Sequence, residues 1–278
     1  MQTSALAFYS LVTCALAAVA WLMTQPLLQR WQRSRQRAGV FPAAWRSVLR
    51  HRVPLYARLP ADQQLRLRQD ILVFLAEKPF LGCAGLHVTD EMRVMVAAFA
   101  CMLLLGARRD YYPELQRVLL YPGAFAAQEH QVSSDGVHSE VVRGLAGQSW
   151  VQGQVLLSWA DVQQGAADPV DGSNVVIHEF AHQLDQSKGY ANGAPPLKSR
   201  QAYRCWSSVM QTEFDALRQR LADGEEGLIG AYAATDPAEF FAVCSELFFE
   251  RAAELATQHP LLFDELKTYY QINPLSWS

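Results

Sequence analysis

Two histidines stand four residues apart, with a glutamate directly after the first, in the segment VVIHEFAHQLD (Val175–Asp185). On an α-helix this spacing places His178 and His182 about 40° apart on one face, so that both imidazoles can reach one metal ion. Glu179 projects beside that face, where it can act on a water molecule without binding the metal. The apolar residues Val175–Ile177 are expected to hold the helix in the core. The pattern therefore predicts a rigid helix that carries two ligands of a zinc site.

Two further features of this segment remain open. Asp185 lies seven residues after His178 and returns to the same helix face, where we expect it to accept a ring N–H and set the tautomer of a ligand histidine. A short motif of this kind also arises by chance, so the alternative is an amphipathic helix that happens to carry two imidazoles. A third ligand is needed to decide between them.

Candidates for the third ligand are acids of the segment that follows Ala231. Asp236, Pro237 and Glu239 form a helix start in which Glu239 could bond back to the backbone of Asp236 in a capping box. Glu239, Glu246 and Glu250 also fall on one stripe of an otherwise apolar helix. Such a stripe is costly to bury unless the acids are paired or coordinate a metal. The residues alone therefore allow one of these glutamates as a ligand, with water in the fourth position.

Length and composition admit a globular enzyme. At 278 residues, 50% of them hydrophobic and 18% charged, the chain is long enough to bury a substantial core. The formal net charge of −3 and the pI near 6.2 argue against a nucleic-acid-binding surface over the whole protein. The five cysteines are scattered without a C-x-x-C pair, which predicts a reducing compartment and excludes a thiolate zinc knuckle.

The N-terminal sequence predicts a membrane anchor. The first 29 residues carry no charged side chain, and Ala5–Met23 is a 19-residue, mostly apolar run with about the length of a bilayer-spanning helix. Four arginines follow between residues 30 and 37, and the positive-inside rule would keep them and the rest of the chain in the cytoplasm. The alternative is an interfacial or core-packed helix.

These features divide the chain into three expected parts. They are a transmembrane anchor over residues 1–29, a basic juxtamembrane linker over 30–40 and a folded domain over 41–278. We expect a single-pass protein of the inner membrane with its folded domain in the cytoplasm, or a cytoplasmic protein if the first segment does not insert.

Hydrophobic periodicity predicts a mainly helical domain with a small sheet. Apolar spacing predicts helices over Asp62–Lys78, Lys198–Leu221, Asp236 to about Arg251, and Pro260–Tyr270. A buried core helix is expected over Val94–Leu105, after the acidic cap Thr89–Glu91. Short β-type runs lie at Val118–Tyr121, Glu140–Arg143 and Val155–Trp159. Loops are expected at Asp161–Asn174, with Ser173 or Asn174 as the cap of the histidine helix, and at Gly189–Pro196.

Three segments together resemble the Mlc titration factor A family of zinc peptidases. They are HEFAHQLD (His178–Asp185), GQSWVQGQVLLSW (Gly147–Trp159) and AYAATDPAEFFAVCSELFFE (Ala231–Glu250), and the similarity extends from about Phe41 to Pro274. That family shares its catalytic core with the anthrax lethal factor metalloprotease, a gluzincin. The resemblance implies an α+β fold, a mainly helical zincin-like metallopeptidase domain with a small β-sheet, here preceded by the predicted transmembrane helix.

The resemblance also implies roles for individual residues. His178, His182 and Glu239 would bind one zinc ion per chain, Glu179 would be the general base, and Tyr232, seven residues before Glu239, would assist the reaction. Glu246 and Glu250 then become supporting residues.

Two functions follow as expectations. The first is a zinc-dependent, aminopeptidase-like enzyme that hydrolyses short peptides. The second is a membrane-tethered regulator that binds and sequesters a transcriptional repressor of sugar uptake, as the family name implies. The expected partners are thus a peptide substrate, a repressor protein and, through the N-terminal helix, the membrane, with no direct contact to nucleic acid. A purely structural zinc site is disfavoured, because such sites are usually closed by four protein ligands.

Overall fold

The computed structural model describes residues 2–106, 110–123 and 153–277, without the side chains of residues 2–12, 17, 18, 20 and 188. The described contacts divide the chain into two compact units, Met1–Val40 and Phe41–Ser278. The first unit contains one long helix, α1 (Gln2–Arg37), which has Arg35 and Arg37 in its last turn. The basic segment predicted to be a linker is therefore helical as far as Arg37.

The predicted membrane anchor at Ala5–Met23 is not supported. Among the residues that the structure describes, no helix is long and apolar enough to cross a membrane.

Over its described residues the second unit is mainly helical with one small sheet, which confirms the α+β class. Its helices are α2 (Ala43–Arg52), α3 (Pro54–Arg58), α4 (Ala61–Glu77), α5 (Asp90–Met102), α6 (Trp159–Ala167), α7 (Val175–Asp185), α8 (Arg200–Ala222), α9 (Pro237–Glu250), α10 (Ala252–Gln258) and α11 (Pro260–Tyr270). Its strands are β1 (Phe80–Gly82), β2 (Arg117–Tyr121) and β3 (Gln154–Ser158). Single 3₁₀ turns lie at Gln186–Lys188, Ala231–Ala234 and Pro274–Ser276. Helices α4, α8, α9 and α11 confirm four predicted helices, whereas the sequence does not predict the short helices α2, α3 and α10.

The three strands form a parallel sheet in the order β1-β2-β3. Val118 of β2 pairs with Phe80 of β1 on one side and with Val155 of β3 on the other. Val118, Leu120, Val155 and Leu157 are buried, and the residues between them on both strands are half-buried. One face of the sheet therefore lies on the core.

The strand predictions at Val118–Tyr121 and Val155–Trp159 are confirmed, except that Trp159 begins a helix. The third predicted strand, Glu140–Arg143, lies outside the described residues.

Helix α5 is the predicted core helix. The Thr89 hydroxyl accepts a hydrogen bond from the Met92 N–H at 3.3 Å and caps its first turn. From Val94 through Leu105 every residue is buried. Helices α2, α4 and α7 all pack against α5. The histidine helix α7 therefore rests on a rigid apolar base.

The predicted loop at Asp161–Asn174 is wrong over its first half, where α6 forms. The Ser158 hydroxyl accepts from the Asp161 N–H at 3.3 Å and caps this helix. The sequence places Gly165 in this predicted loop. It lies where α6 crosses the next segment, and a Cβ there would stand 2.9 Å from the Ser173 carbonyl oxygen. Close packing, and not a break in the helix, requires this glycine.

Candidate metal centre

Helix α7 begins at a fully buried asparagine. The Asn174 side-chain oxygen accepts hydrogen bonds from the Val176 and Ile177 N–H groups, both at 3.2 Å. Of the two caps predicted, Ser173 or Asn174, the structure selects Asn174. Further along the helix, the Phe180 ring lies 4.9 Å from Tyr112 and 5.7 Å from Phe74, measured between ring centroids. The cap fixes the residue at which α7 begins, and the aromatic contacts fix the rotation of α7 about its own axis.

The two motif histidines face each other from successive turns of α7. Their rings lie 4.9 Å apart, and their Nε2 atoms lie 3.2 Å apart. His182 is fully buried, and the His178 side chain is only 12% exposed. The i, i+4 spacing therefore produces the convergence expected of two ligands of one ion.

Glu239 reaches the same point from the first turn of α9. Its carboxylate lies 3.0 Å from His178 Nε2 and 3.6 Å from His182 Nε2. Asp236 caps α9, since its side chain accepts from the Ala238 and Glu239 N–H groups at 2.8 and 3.0 Å. The Asp236 half of the predicted capping box is thus present, while the Glu239 carboxylate is directed at the histidines.

His178, His182 and Glu239 are the candidate metal group of the described residues. Each offers one ligand atom, and these atoms all lie within 4.8 Å of one another. The structure thus brings together the two histidines that the motif predicts as ligands and the glutamate that the family resemblance implies as the third.

The charges at this group are strongly coupled. Burial alone would lower the pKa of His178, but Glu246 and Glu239 outweigh it and raise the pKa to about 10. Burial lowers the pKa of His182 to about 4 despite its contact with Glu239. Although burial opposes ionisation of Glu239, hydrogen bonds with the two histidines hold the pKa of that carboxyl well below its usual range. The group therefore combines a carboxylate with two inequivalent imidazoles.

Glu246 lies on the same stripe of α9 as Glu239 and contacts the other ring nitrogen of His178. Its carboxylate lies 2.7 Å from His178 Nδ1. In the neutral ring, an Nδ1–H that donates a hydrogen bond to this carboxylate leaves the lone pair on Nε2, the nitrogen that faces Glu239. The contact of Glu246 with the His178 ring is therefore the form that its predicted supporting role would take.

Asp185 has a different contact from the one predicted. Its carboxylate accepts the backbone N–H groups of Asn192 and Gly193 at 2.8 and 2.7 Å. Burial raises the pKa of Asp185 to about 6, although these hydrogen bonds partly offset the shift. The expectation that Asp185 orients a ligand histidine is wrong for His178, whose Nδ1 contacts Glu246. Asp185 instead fixes the loop after α7.

Glu250, the last residue of α9, contacts the cap of α7. Its carboxyl oxygen accepts from the Asn174 side-chain amide at 3.0 Å. Burial raises the pKa of Glu250 to about 8, because the hydrogen bond from Asn174 offsets only part of the desolvation. Glu250, the second predicted supporting acid, thus contacts Asn174, the residue that caps the histidine helix α7.

Both predicted catalytic residues neighbour His178, Glu179 in the chain and Tyr232 in space. Glu179 follows His178 on α7 and is 6% exposed. Tyr232 lies in the 3₁₀ turn Ala231–Ala234, and its ring centroid is 6.0 Å from that of His178. This turn packs against α9, which carries Glu239.

Sequence reasoning missed the central place of Asn174. The sequence predicts Asn174 only as a helix cap, whereas its backbone N–H also donates to Glu246 at 2.5 Å. The available signal was the acidic stripe itself, because three glutamates on an apolar helix need buried donors.

Comparison with known proteins agrees with the geometry. Residues 28–271 match the family described as Glucose-regulated metallo-peptidase M90. An uncharacterized protein of Synechocystis sp. is 38% identical over 267 residues, covering 95% of this chain and 96% of that protein. Mlc titration factor A of Serratia proteamaculans is 34% identical over 238 residues, covering 84% and 88%. Mlc titration factor A of Yersinia enterocolitica is 31% identical over 249 residues, covering 88% and 91%. These matches confirm the resemblance to Mlc titration factor A proteins, and the chain belongs to the glucose-regulated metallo-peptidase family M90.

Proposed function

We propose that this protein is a zinc-dependent peptidase that hydrolyses short peptides in the manner of an aminopeptidase. The observation that carries the proposal is the buried group of His178, His182 and Glu239, with Glu179 next to the first ligand on the same helix. Membership of the M90 family supports a metallopeptidase.

The donor set fits zinc. Two imidazole nitrogens and one carboxylate are the ligand types of zinc hydrolases, which use three protein ligands and keep one position open. The ligand atoms lie within 4.8 Å of one another, close enough for one ion. Glu246 occupies His178 Nδ1 and leaves Nε2 directed at the group, as a ligand histidine requires.

In the proposed reaction, zinc bound by these three side chains would supply Lewis-acid chemistry to a peptide carbonyl and to water. Glu179 takes the proton of the attacking water and then delivers it to the leaving amine. Its burial suits this role, because a carboxylate removed from bulk solvent exchanges protons with the water and the amine held in the site.

Tyr232 is proposed as the donor to the oxyanion that develops on the substrate carbonyl. A phenol O–H is a suitable donor for this charge, and its value increases when water is excluded. The position of its ring beside His178 supports this role.

Strand β3 is proposed to align the substrate backbone. It comes last in the order β1-β2-β3 of the described sheet, and it packs against α7. An extended peptide can add to such a strand through main-chain hydrogen bonds, which give affinity without requiring one sequence.

The deciding experiment pairs metal content with hydrolysis. Elemental analysis and a panel of aminoacyl and short-peptide reporters would be applied to the full chain and to Glu179→Gln. We expect one zinc per chain in both proteins and a loss of turnover of about 10²- to 10⁴-fold in the variant. Wild-type turnover in Glu179→Gln would remove Glu179 as the base, and a zinc-loaded wild type that cleaves no reporter would overturn the peptidase proposal.

A second proposed function is binding of a transcriptional repressor protein. The name Mlc titration factor A of the relatives supports it. Capture of purified repressor by the wild type and by Glu179→Gln, each with and without a zinc chelator, separates the two functions. Equal capture in all four samples would support a binding role independent of chemistry, and no capture in any of them would overturn it.

A further inference from the structure

Asn174 is 1% exposed, and its polar groups are all engaged. Its backbone N–H donates to Glu246, its carbonyl accepts from the His178 N–H at 2.9 Å, its side-chain oxygen caps α7, and its side-chain amide donates to Glu250 and to the Gly165 carbonyl. These contacts join α6, α7 and α9 at one residue. A buried polar residue with all of its groups satisfied is strongly fixed in place.

Two of these contacts reach the same ligand histidine. The Asn174 carbonyl bonds to the backbone of His178, and the Asn174 N–H bonds to Glu246, whose other oxygen lies 2.7 Å from the His178 ring. Asn174 therefore contacts His178 directly at the main chain and indirectly at the imidazole. A displacement of Asn174 would change both the position of the ring and the orientation of the carboxylate that holds it.

The amide side chain is needed for more than capping. Serine, threonine, aspartate and asparagine all cap a helix through a side-chain oxygen. Among these, only asparagine has a separate N–H₂ group that donates to a second partner while the side-chain oxygen caps the helix. That donor meets the Glu250 carboxyl, which is only 5% exposed. Asparagine thus satisfies the helix start and a buried acid together.

The adjoining segment is also tied to α9. Gly172 has a φ of +80°, and a Cβ at this position would stand 2.7 Å from Leu247 Cδ2 and 2.9 Å from Arg251 Cδ. The chain therefore enters Asn174 in close contact with Leu247 and Arg251, the residues that directly follow Glu246 and Glu250. Little room remains for Asn174 to adjust if one of its partners is removed.

We propose that Asn174, held by Glu250, is a positioning residue of the metal site that orients His178 through Glu246. This inference rests on the zinc-binding part of the proposed function and deepens it. Residues that orient metal ligands typically change metal affinity by about 10- to 100-fold when replaced. Asn174 is predicted to belong to this group although it contacts no metal.

The test uses the full chain and measures zinc affinity with a competing chelator, together with the visible spectrum of the cobalt-substituted protein. Asn174→Ser keeps a capping oxygen and removes the amide donor. We expect its zinc affinity to fall by about 10- to 100-fold and its cobalt spectrum to change. Ser199→Ala is the matched control, because Ser199 caps α8, which carries none of the three ligands. The control is expected to lower the midpoint of denaturant unfolding while its zinc affinity and cobalt spectrum stay at wild-type values.

A second pair covers the case in which Asn174→Ser does not fold. Glu250→Leu removes the acceptor from the Asn174 amide, and Glu250→Gln keeps one. We expect a loss of zinc affinity of about 10-fold in Glu250→Leu and recovery in Glu250→Gln. Wild-type zinc affinity in a folded Asn174→Ser, or in Glu250→Leu, would reduce Asn174 to a helix cap.

These outcomes are distinguishable from failure of the proposed function. A wild type that binds zinc without hydrolysing peptides would overturn the peptidase proposal and leave the affinity comparison intact. Active hydrolysis with equal zinc affinity in all variants would overturn the role of Asn174 alone. A wild type that binds no zinc would overturn both.

Discussion

Helices α5 and α7 are both deeply buried, yet they bury different chemistry. From Val94 onward α5 buries only apolar side chains and cysteine. Helix α7 also buries Glu179, His182, Gln183 and Asp185. Burial of such groups is unfavourable unless other elements supply partners. Here Glu239 of α9 meets His182, and the loop after α7 donates to Asp185. The comparison shows that α5 stabilises the fold, whereas α7 uses the stability of its neighbours to hold a polar site.

The largest expected effect lies in α5. Phe99→Ala removes a side chain that is 1% exposed. We expect the free energy of unfolding to fall by about 3–5 kcal/mol because of the cavity that remains. Denaturant unfolding measures this loss. Zinc affinity below the unfolding transition should stay near wild type, and a parallel collapse of affinity would contradict the division of roles. Leu261→Ala, at a side chain that is 66% exposed, is the control and should change stability by less than about 0.5 kcal/mol.

The next effect lies at the contact between α7 and α9. Glu239→Gln removes the only carboxylate of the predicted ligand set, and we expect zinc affinity to fall by more than about 10²-fold, beyond the range typical of residues that merely orient ligands. Chelator competition measures the change. Glu226→Gln makes the same charge change at an exposed position and should have no effect. Retention of zinc by Glu239→Gln would contradict its assignment as a ligand.

At Tyr232 we expect an effect of similar size, but on kcat and not on zinc affinity. Tyr232→Phe keeps the ring beside His178 and removes the hydroxyl, so we expect kcat to fall by about 10²-fold while zinc affinity is unchanged. Steady-state kinetics and metal titration check the two halves of this expectation. An unaltered kcat would reduce Tyr232 to packing.

The smallest effect concerns the pH dependence of stability. Burial raises the pKa of Glu250 to about 8, from an ordinary value of 4.5. Between these values the folded protein retains a proton that the unfolded chain has lost. The stabilisation from Glu250 is therefore complete below about pH 4.5 and is lost as pH rises to about 8.

Glu250→Gln abolishes this titration. We expect its unfolding free energy to fall less steeply than that of the wild type between about pH 6 and pH 8, by up to about 1.4 kcal/mol per pH unit. Asp185, with a pKa raised to about 6, contributes mainly below this window and is the same in both proteins. Denaturant unfolding of the metal-free proteins across this range measures the difference. Equal slopes would mean that Glu250 is ionised in the folded protein throughout.

Much of the fold could be predicted because its signals are local. Thr89 and Asp236 cap their helices as their position before apolar runs indicated, and the short β-type runs at β2 and β3 form strands. The error at Asp161–Asn174 arose because Gly165 was interpreted without knowledge of the backbone that crosses it. The membrane anchor at Ala5–Met23 was inferred from length and composition alone, and the described helices do not support it.

The candidate site divides in the same way. By itself, the sequence determined that His178 and His182 share one face with Glu179 beside them, because helical periodicity depends only on spacing. Tertiary structure alone decided which acid meets which histidine. Asp185 lies on the predicted face but accepts hydrogen bonds from the loop that follows α7. Glu246, 68 positions away in sequence, contacts His178. The physical reason is that these contacts depend on the packing of α9 and the cap of α7 against each other, and no periodicity within one helix specifies that distance.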